Sequence, residues 1–154
     1  MRTVAAAVRE VHAGGMESWG ESVHWILENC QTWAIVGLAD NPSRAAHGVA
    51  RFLQRHGKRI VPVHPRAETV HGEPGYASLS DIPFGVDCVD VFRRSSEAGA
   101  FADEAVAIGA KAVWFQLDVV DTDAFARVTS AGLRMVMDRC PAIEWHPGLP
   151  PIGR

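Results

Sequence analysis

The residues from Trp33 to Arg44 have the types and the order of a phosphate-binding turn. Trp33-Ala-Ile-Val is a continuous apolar run, which predicts a strand covered on both faces. Gly37 follows where the chain must turn, and glycine lets a ligand or a second backbone approach closely. Asn41 and Ser43 are residue types that cap helix N-termini, and the free N–H groups there attract phosphate. Arg44 adds a positive charge, so the stretch predicts an anion site, although an ordinary strand–turn–helix connection explains the same residues.

The composition excludes several classes of protein. The chain has 154 residues and a net charge of −3, which fits one domain and gives no basic surface for nucleic acid. No apolar run approaches the roughly 20 residues needed to cross a bilayer, and the N-terminus is too polar for a secretory signal. Three widely spaced cysteines, Cys30, Cys88 and Cys140, indicate reduced thiols. We therefore expect a cytoplasmic protein that binds neither nucleic acid nor a membrane.

The apolar pattern predicts strands that alternate with helices from Trp33 to Met137. The predicted strands are 33–36, 59–63, 86–92, 111–116 and 133–137, and the predicted helices are 17–29, 45–56, 95–109 and 121–131, with Ser95 or Ser96 as one cap and Asp121 as another. This alternation predicts an α/β fold: a three-layer, doubly wound, Rossmann-like domain with a five-stranded parallel sheet. We expect residues 1–16 to be a mobile tail, residues 17–154 to form the single domain, and the segment from Trp145 to be irregular.

Ligands of such sheets bind outside the carboxyl ends of the strands, where the strand order reverses. The predicted strand exits are 37–44, 64–66, 92–94, 116–117 and 138–140. The first turn has one glycine rather than G-x-G-x-x-G, and the second exit carries Arg66 where an NAD site needs a carboxylate. A P-loop motif is absent. The residues therefore favour a nucleotide with an additional phosphate, which is either NADP or coenzyme A.

A collinear set of segments matches a known family. The segments are Ala34-Ile-Val-Gly-Leu, Asn41-Pro-Ser-Arg, Val49-Ala-Arg-Phe-Leu, Val61-Pro-Val-His-Pro, Ser78-Leu-Ser-Asp-Ile-Pro, Val86-Asp-Cys-Val-Asp-Val-Phe-Arg, Gly109-Ala-Lys-Ala-Val-Trp-Phe-Gln and Ala131-Gly-Leu-Arg-Met-Val-Met-Asp-Arg-Cys. With them the chain resembles the stand-alone CoA-binding proteins, whose fold is similar to the CoA-binding domain of the succinyl-CoA synthetase alpha subunit. It departs from the family pattern at Ala39, where serine is usual, at His64, where asparagine is usual, and at His47, where tyrosine is common.

The resemblance implies a nucleotide that lies across three strand exits. The turn 37–44 would hold the pyrophosphate, residues 63–65 the adenosine, and Phe92-Arg93 the far side of the nucleotide. Charge alone makes Arg44 or Arg66 a partner for the 3′-phosphate, and Gln116 is a candidate contact to the pantetheine arm. The predicted site residues are Gly37, Leu38, Ala39, Asn41, Arg44, Val63, His64, Pro65, Arg66, Phe92, Arg93 and Gln116.

The sequence predicts neither a catalytic nor a metal site. No nucleophile, base and orienting group can be assembled from it, and its histidines lack metal-ligand spacing. We expect a non-catalytic module that binds CoA or acyl-CoA, with a protein partner or a second copy left open. The alternatives are an NADP-dependent oxidoreductase or redox regulator, and a protein-interaction subunit with a vestigial nucleotide cleft. Cys140 is either a reactive thiol or a small buried residue.

Overall fold

The computed structural model describes residues 19–145, which form five strands and five α-helices that alternate except between the second and third strands. The strands are β1 (Thr32–Val36), β2 (Arg59–Val63), β3 (Cys88–Val91), β4 (Ala112–Phe115) and β5 (Arg134–Val136). The helices are α1 (Trp19–Asn29), α2 (Ala45–Arg55), α3 (Ser95–Ala107), α4 (Thr122–Ser130) and α5 (Pro141–Glu144), with a 3₁₀ turn at Leu79–Asp81. The predicted tail 1–16 and the residues after Trp145 lie outside the described residues. Strand β3 is shorter than the predicted strand 86–92, and α5 was not predicted.

All five strands are parallel and lie in the order β2-β1-β3-β4-β5. Ala34 in the middle of β1 lies between Val61 of β2 and Val89 of β3. The chain leaves β1 toward one side to form β2 and then returns to the other side to form β3. The predicted doubly wound α/β sheet is confirmed, and its strand order reverses between β1 and β3.

Helices cover both faces of the sheet and divide its core in two. Helices α1, α2 and α5 pack on the face that carries Trp33, Ile35 and Trp114. Helices α3 and α4 pack on the face that carries Val89 and Phe115. Because both faces are buried, the strands read as continuous apolar runs rather than as alternating patterns. Among the residues that the structure describes, no helix has the length and apolar content required to cross a bilayer.

The N-terminal caps of α2 and α3 differ from the predicted ones. Helix α2 begins after Arg44 and has no side-chain cap. The Asn41 side chain instead accepts from the N–H and the hydroxyl of Ser43, at 3.1 and 2.7 Å, and so folds the turn onto itself. Because Asn41 Oδ1 is already engaged by Ser43, it does not reach the first N–H groups of α2.

Helix α3 shows the same kind of difference, whereas α4 follows the prediction. Arg94 is the N-cap residue of α3, again without a side-chain cap. Ser95 is the first helical residue, and its hydroxyl accepts from the Val120 N–H at 2.9 Å, which ties α3 to the loop after β4. Asp121 caps α4 as predicted, since its carboxylate accepts from the Ala124 N–H at 3.0 Å.

Candidate functional site

A cleft of about 480 Å³ opens at the carboxyl edge of the sheet, above the point where the strand order reverses. Its walls are the turn after β1, the turn after β2 and the segment that joins β3 to α3. Its lining residues are Gly37, Ala39, Asn41, Arg44, Ala45, Ala46, His64, Arg66, Phe92, Arg93, Arg94 and Glu97. This volume lies within the range of about 300–1,000 Å³ that is typical of small-molecule sites.

A smaller pocket of about 120 Å³ adjoins the cleft. The two cavities share Gly37, His64 and Arg93, so they lie side by side at the ends of β1, β2 and β3. The other residues that line the smaller pocket are mostly apolar: Val36, Val63, Pro65, Ala77 and Phe101. The site therefore combines a charged cleft with an apolar side pocket.

Ten of the twelve residues predicted from the sequence line one of these cavities. Eight line the cleft, and Val63 and Pro65 line the side pocket. Leu38 lines neither, because its side chain is fully buried in the core beneath α2. Gln116 also lines neither. It is 7% exposed, and its Oε1 has no hydrogen-bond partner among the described residues.

The exits of β4 and β5 close on each other rather than on the cleft. The Asp118 N–H donates to Asp138 Oδ1 at 2.7 Å, and the Arg139 N–H donates to the carbonyl of Phe115. Cys140, which follows β5, is 6% exposed and packs in the core with α1 and α2. Of the two alternatives predicted for Cys140, the structure therefore favours the small buried residue.

Gly37 brings the end of β1 directly against the end of β3. Its φ is +98°, a left-handed backbone conformation that residues with a Cβ atom rarely adopt. A Cβ atom added at Gly37 would lie 3.0 Å from the carbonyl oxygen of Phe92. Both observations require glycine here, and they explain why the two strand exits share one cleft.

The N-terminus of α2 points its free N–H groups at the cleft. Ala45 and Ala46 line the cleft and are the first residues of the helix, so their N–H groups have no intrahelical acceptor. No acidic residue lies in this first turn. Arg44 is exposed, and the described part of the chain offers its guanidinium neither a carboxylate within ion-pair distance nor a hydrogen-bond acceptor. A helix N-terminus beside an unpaired cation favours an anion.

The N-terminus of α3 forms the opposite wall and contains a carboxylate. Arg93 Nε and Nη2 both donate to Glu97 Oε2, at 2.9 and 2.7 Å. Arg94 Nε lies 3.7 Å from the other carboxylate oxygen. The hydrogen bond from Arg93, together with the charges of Arg93 and Arg94, lowers the pKa of Glu97. Glu97 is the one acidic residue among those that line the two described cavities.

The cleft is positive although the whole chain is negative. Four arginines and one glutamate line it, which gives +3, whereas the chain as a whole carries −3. Such a local concentration of one sign attracts ligands of the opposite sign. Within residues 19–145, no group of three or more His, Cys, Asp and Glu side chains is arranged to hold a metal ion.

Seven lining residues were not among those predicted: Val36, Ala45, Ala46, Ala77, Arg94, Glu97 and Phe101. Arg94 lies within a strand exit that the sequence singles out, and Glu97 lies in the first turn of α3. Arg93 precedes the N-cap of α3, so helical spacing alone does not predict its pair with Glu97. Phe101 and Ala77 give no comparable signal.

Comparisons with known proteins identify related sequences and a related fold. A family model described as CoA binding domain matches residues 31–146. The uncharacterized protein YneT of Bacillus subtilis (strain 168) is 34% identical over 115 residues, which are 75% of this chain and 85% of that protein. A hypothetical protein from Pyrococcus horikoshii OT3 has a TM-score of 0.77 at 34% identity, over 82% of this chain and 89% of that one.

A third comparison concerns the fold alone. The dinucleotide forming acetyl-coenzyme A synthetase 1 of Ca. Korarchaeum cryptofilum shares it with a TM-score of 0.63 at 21% identity. The match covers 74% of this chain but 27% of that much longer one.

Proposed function

This chain belongs to the CoA binding domain family, and from that premise we propose that its carboxyl-edge cleft binds coenzyme A or an acyl-CoA without catalysing a reaction. The observation that carries the proposal is the cleft itself, where four arginines surround a helix N-terminus that has no acidic residue in its first turn. Coenzyme A carries a pyrophosphate and a separate 3′-phosphate, so it offers several negative charges to such a surface.

The parts of the nucleotide fit the parts of the site. In our proposal the pyrophosphate lies at the N-terminus of α2, beside Arg44. The apolar side pocket at Val63 and Pro65 suits the adenine ring. Arg66 is 68% exposed after β2, and its Nε lies 3.3 Å from Glu68 Oε1, a weak pair because the guanidinium remains largely in solvent. Arg66 is therefore free enough to meet the 3′-phosphate.

His64 can replace the amide that the family usually has there. The Arg66 N–H donates to His64 Nδ1 at 3.2 Å, so Nδ1 is the acceptor and Nε2 carries the proton in the neutral ring. Nε2 then remains as a donor toward the ligand. At Ala39 no hydroxyl is available, so the backbone N–H groups of the turn serve the phosphate instead.

The composition of the cleft supports a binding role rather than a catalytic one. Its ionisable side chains are the four arginines, His64 and Glu97, and Arg93 holds Glu97. Those lining residues include no serine, cysteine or lysine that a neighbouring base could activate. The three cysteines are free thiols, which fits our proposal of a reducing, cytoplasmic setting.

Thermal unfolding of the reduced protein with separate ligands tests the proposal. We expect CoA at about 100 times its dissociation constant to add about 2.7 kcal/mol, or about 2–4 °C of Tm for each kcal/mol in a chain of this size. Dephospho-CoA should give a smaller shift, and NAD none. A larger shift with NADP than with CoA would favour the oxidoreductase. No shift with any nucleotide would favour the vestigial cleft.

A further inference from the structure

The α2 and α3 walls of the cleft have the same parts except for one carboxylate. Each wall consists of a strand exit, one or two arginines and the N-terminus of a helix. On the α2 wall, Arg44 has no ionic partner in the described part of the chain, and the first helical turn has no acidic residue. On the α3 wall, Glu97 lies in the first turn and contacts both Arg93 and Arg94.

Glu97 engages Arg93 closely and Arg94 only loosely. Two nitrogens of Arg93 donate to the same carboxylate oxygen, at 2.9 and 2.7 Å, in a bifurcated, charge-assisted pair. Arg94 Nε lies 3.7 Å from the other oxygen, and the Arg94 side chain is 76% exposed. The Glu97 side chain is 38% exposed, so the pair lies at the cleft surface rather than beneath it. A phosphate that approached this wall would therefore meet a carboxylate and one arginine, Arg93, that is already engaged.

We propose that Glu97 determines the charge selectivity of the cleft, by withholding Arg93 from anionic ligands and so confining tightly bound phosphate to the α2 wall and to Arg66 at the exit of β2. The α3 wall then receives a part of the ligand that carries no charge. The inference rests on the proposed function, because it assumes that a phosphorylated ligand occupies the cleft. Arg93 also lines the side pocket, so the restraint governs both cavities.

The proposal has an unusual consequence, because removal of a charge from the site should strengthen binding. Glu97→Gln removes the charge with little change of shape. We expect this variant to bind CoA roughly 3- to 30-fold more tightly than the wild type at low salt, because a repulsive charge is lost and Arg93 is released. The gain should shrink as salt is added, since the interactions lie at the surface.

Glu104→Gln provides the matched control. Glu104 is exposed on the same helix, about 10 Å further along its axis, and does not line either cavity. The control removes the same unit of net charge, and we expect its affinity for CoA to stay within about twofold of the wild type. The difference between the two variants isolates the position of the charge from its effect on the whole molecule.

The measurement is calorimetric titration of the wild type and both variants with CoA, dephospho-CoA, pantetheine and inorganic pyrophosphate. The gain at Glu97→Gln should increase with the phosphate charge of the ligand and vanish for pantetheine, whereas a general structural effect would change all four alike. Equal or weaker binding of CoA by Glu97→Gln would overturn the proposal, because Glu97 would then position the arginines for the ligand.

A double-mutant cycle with Arg93→Gln tests whether Glu97 acts on ligand binding through Arg93. In the wild-type background we expect this substitution to weaken CoA binding less than it does in the Glu97→Gln background, because Arg93 is already paired with Glu97. In the Glu97→Gln background it should remove most of the gain. If the wild type binds pyrophosphate but not CoA, the proposed function fails, and the pyrophosphate ratios still decide the role of Glu97. If no variant binds any of these anions, both proposals are wrong.

Discussion

The two edges of the sheet carry similar charged residues but use them differently. Each charged residue that precedes or opens a strand at the amino edge is engaged inside the chain. These residues are Lys58, Arg59, Asp87, Lys111 and Arg134. At the carboxyl edge, by contrast, Arg44 has no such partner among the described residues, and the N–H groups at the start of α2 have no intrahelical acceptor.

Lys58 shows most clearly how the amino edge uses charge. Its ammonium group is buried and donates to the carbonyls of Leu27 and Cys30, the latter at 2.7 Å. These carbonyls end α1, so Lys58 satisfies groups that the helix leaves without partners. Burial lowers the pKa of Lys58 to about 8, and the nearby Cys30, Cys88 and Asp87 oppose that shift.

The comparison separates stability from binding. Charges at the amino edge satisfy the ends of helices and strands, so they stabilise the fold and leave nothing for a ligand. At the carboxyl edge, Arg44 makes no such contact within the described residues and remains available. We therefore expect substitutions at the amino edge to lower the free energy of unfolding with unchanged affinity for CoA, and substitution of Arg44 at the carboxyl edge to do the reverse.

The largest effect is expected at Lys58. Lys58→Met preserves much of the volume but leaves the Leu27 carbonyl without its donor, and we expect the free energy of unfolding to fall by about 2–3 kcal/mol. Urea unfolding at neutral pH measures the loss. The dissociation constant for CoA, extrapolated to fully folded protein, should stay within about twofold of the wild type.

Lys111→Met on the same edge is the control for Lys58. The Lys111 side chain is 58% exposed and pairs with Asp87 at 3.4 Å. Exposed pairs of this kind contribute about 0–1 kcal/mol, so this variant should lose far less stability than Lys58→Met. If the two lysine variants lost the same free energy of unfolding, burial would not be the reason that Lys58 stabilises the fold more than Lys111 does.

An intermediate effect, of the opposite kind, is expected at Arg44. Arg44→Gln removes the unpaired cation beside the N-terminus of α2, and we expect the affinity for CoA to fall about tenfold, or about 1.4 kcal/mol. Tm without ligand should change by about 1 °C or less, because the guanidinium has no partner to lose in the described structure. Titration at two salt concentrations should show a shallower salt dependence for the variant.

Arg55→Gln is the matched control, since Arg55 is exposed in the last turn of the same helix. It removes the same charge from the far end of α2, and we expect the affinity for CoA to change by less than about twofold. If Arg44→Gln and Arg55→Gln weakened binding equally, the net charge of the protein rather than the α2 wall would attract the ligand.

The carboxyl edge was easier to predict from the sequence than the amino edge. Apolar runs, Gly37 and the arginines at strand exits identify the sheet and most of the cleft, because local patterns produce both. The partners of Lys58 lie 31 and 28 residues away in the chain, and nothing local indicates them. Leu38 was misplaced because the left-handed turn at Gly37 decides which way the next side chain points.

Asp90 shows the same limit within the sheet. In the sequence it is a polar residue inside a predicted strand, as Asp87 is. In the structure Asp90 is fully buried in β3, and neither carboxylate oxygen has a hydrogen-bond partner among the described residues. Burial raises the pKa of Asp90 well above its usual range, whereas the pKa of Asp87 is lowered. Two aspartates three residues apart thus differ through contacts that only the fold supplies.

The smallest effect is expected at Asp87, and its pH dependence tests the amino edge directly. Asp87 Oδ2 accepts from the N–H groups of Gln31 and Thr32, both at 2.9 Å. Burial alone would raise the pKa of Asp87, but the Thr32 and Gln31 N–H groups and the Lys111 ammonium lower it by more. Because the folded pKa is depressed, the stabilisation is present above the unfolded pKa of about 3.9 and is lost as the pH falls through the folded value.

Asp87→Asn should therefore lower the free energy of unfolding by about 1 kcal/mol at pH 7. The difference from the wild type should shrink once the pH falls below about 4, as the wild-type carboxylate takes up its proton. Urea unfolding at pH 7, 5 and 3 measures it, with Asp103→Asn as the control, because the Asp103–Arg127 pair is exposed and nearly neutral for stability. A difference that stayed constant over this range would mean that hydrogen-bond shape rather than charge stabilises the start of β1. A change in CoA affinity at pH 7 would mean that the amino edge also serves the ligand, and the separation of the two edges would not hold.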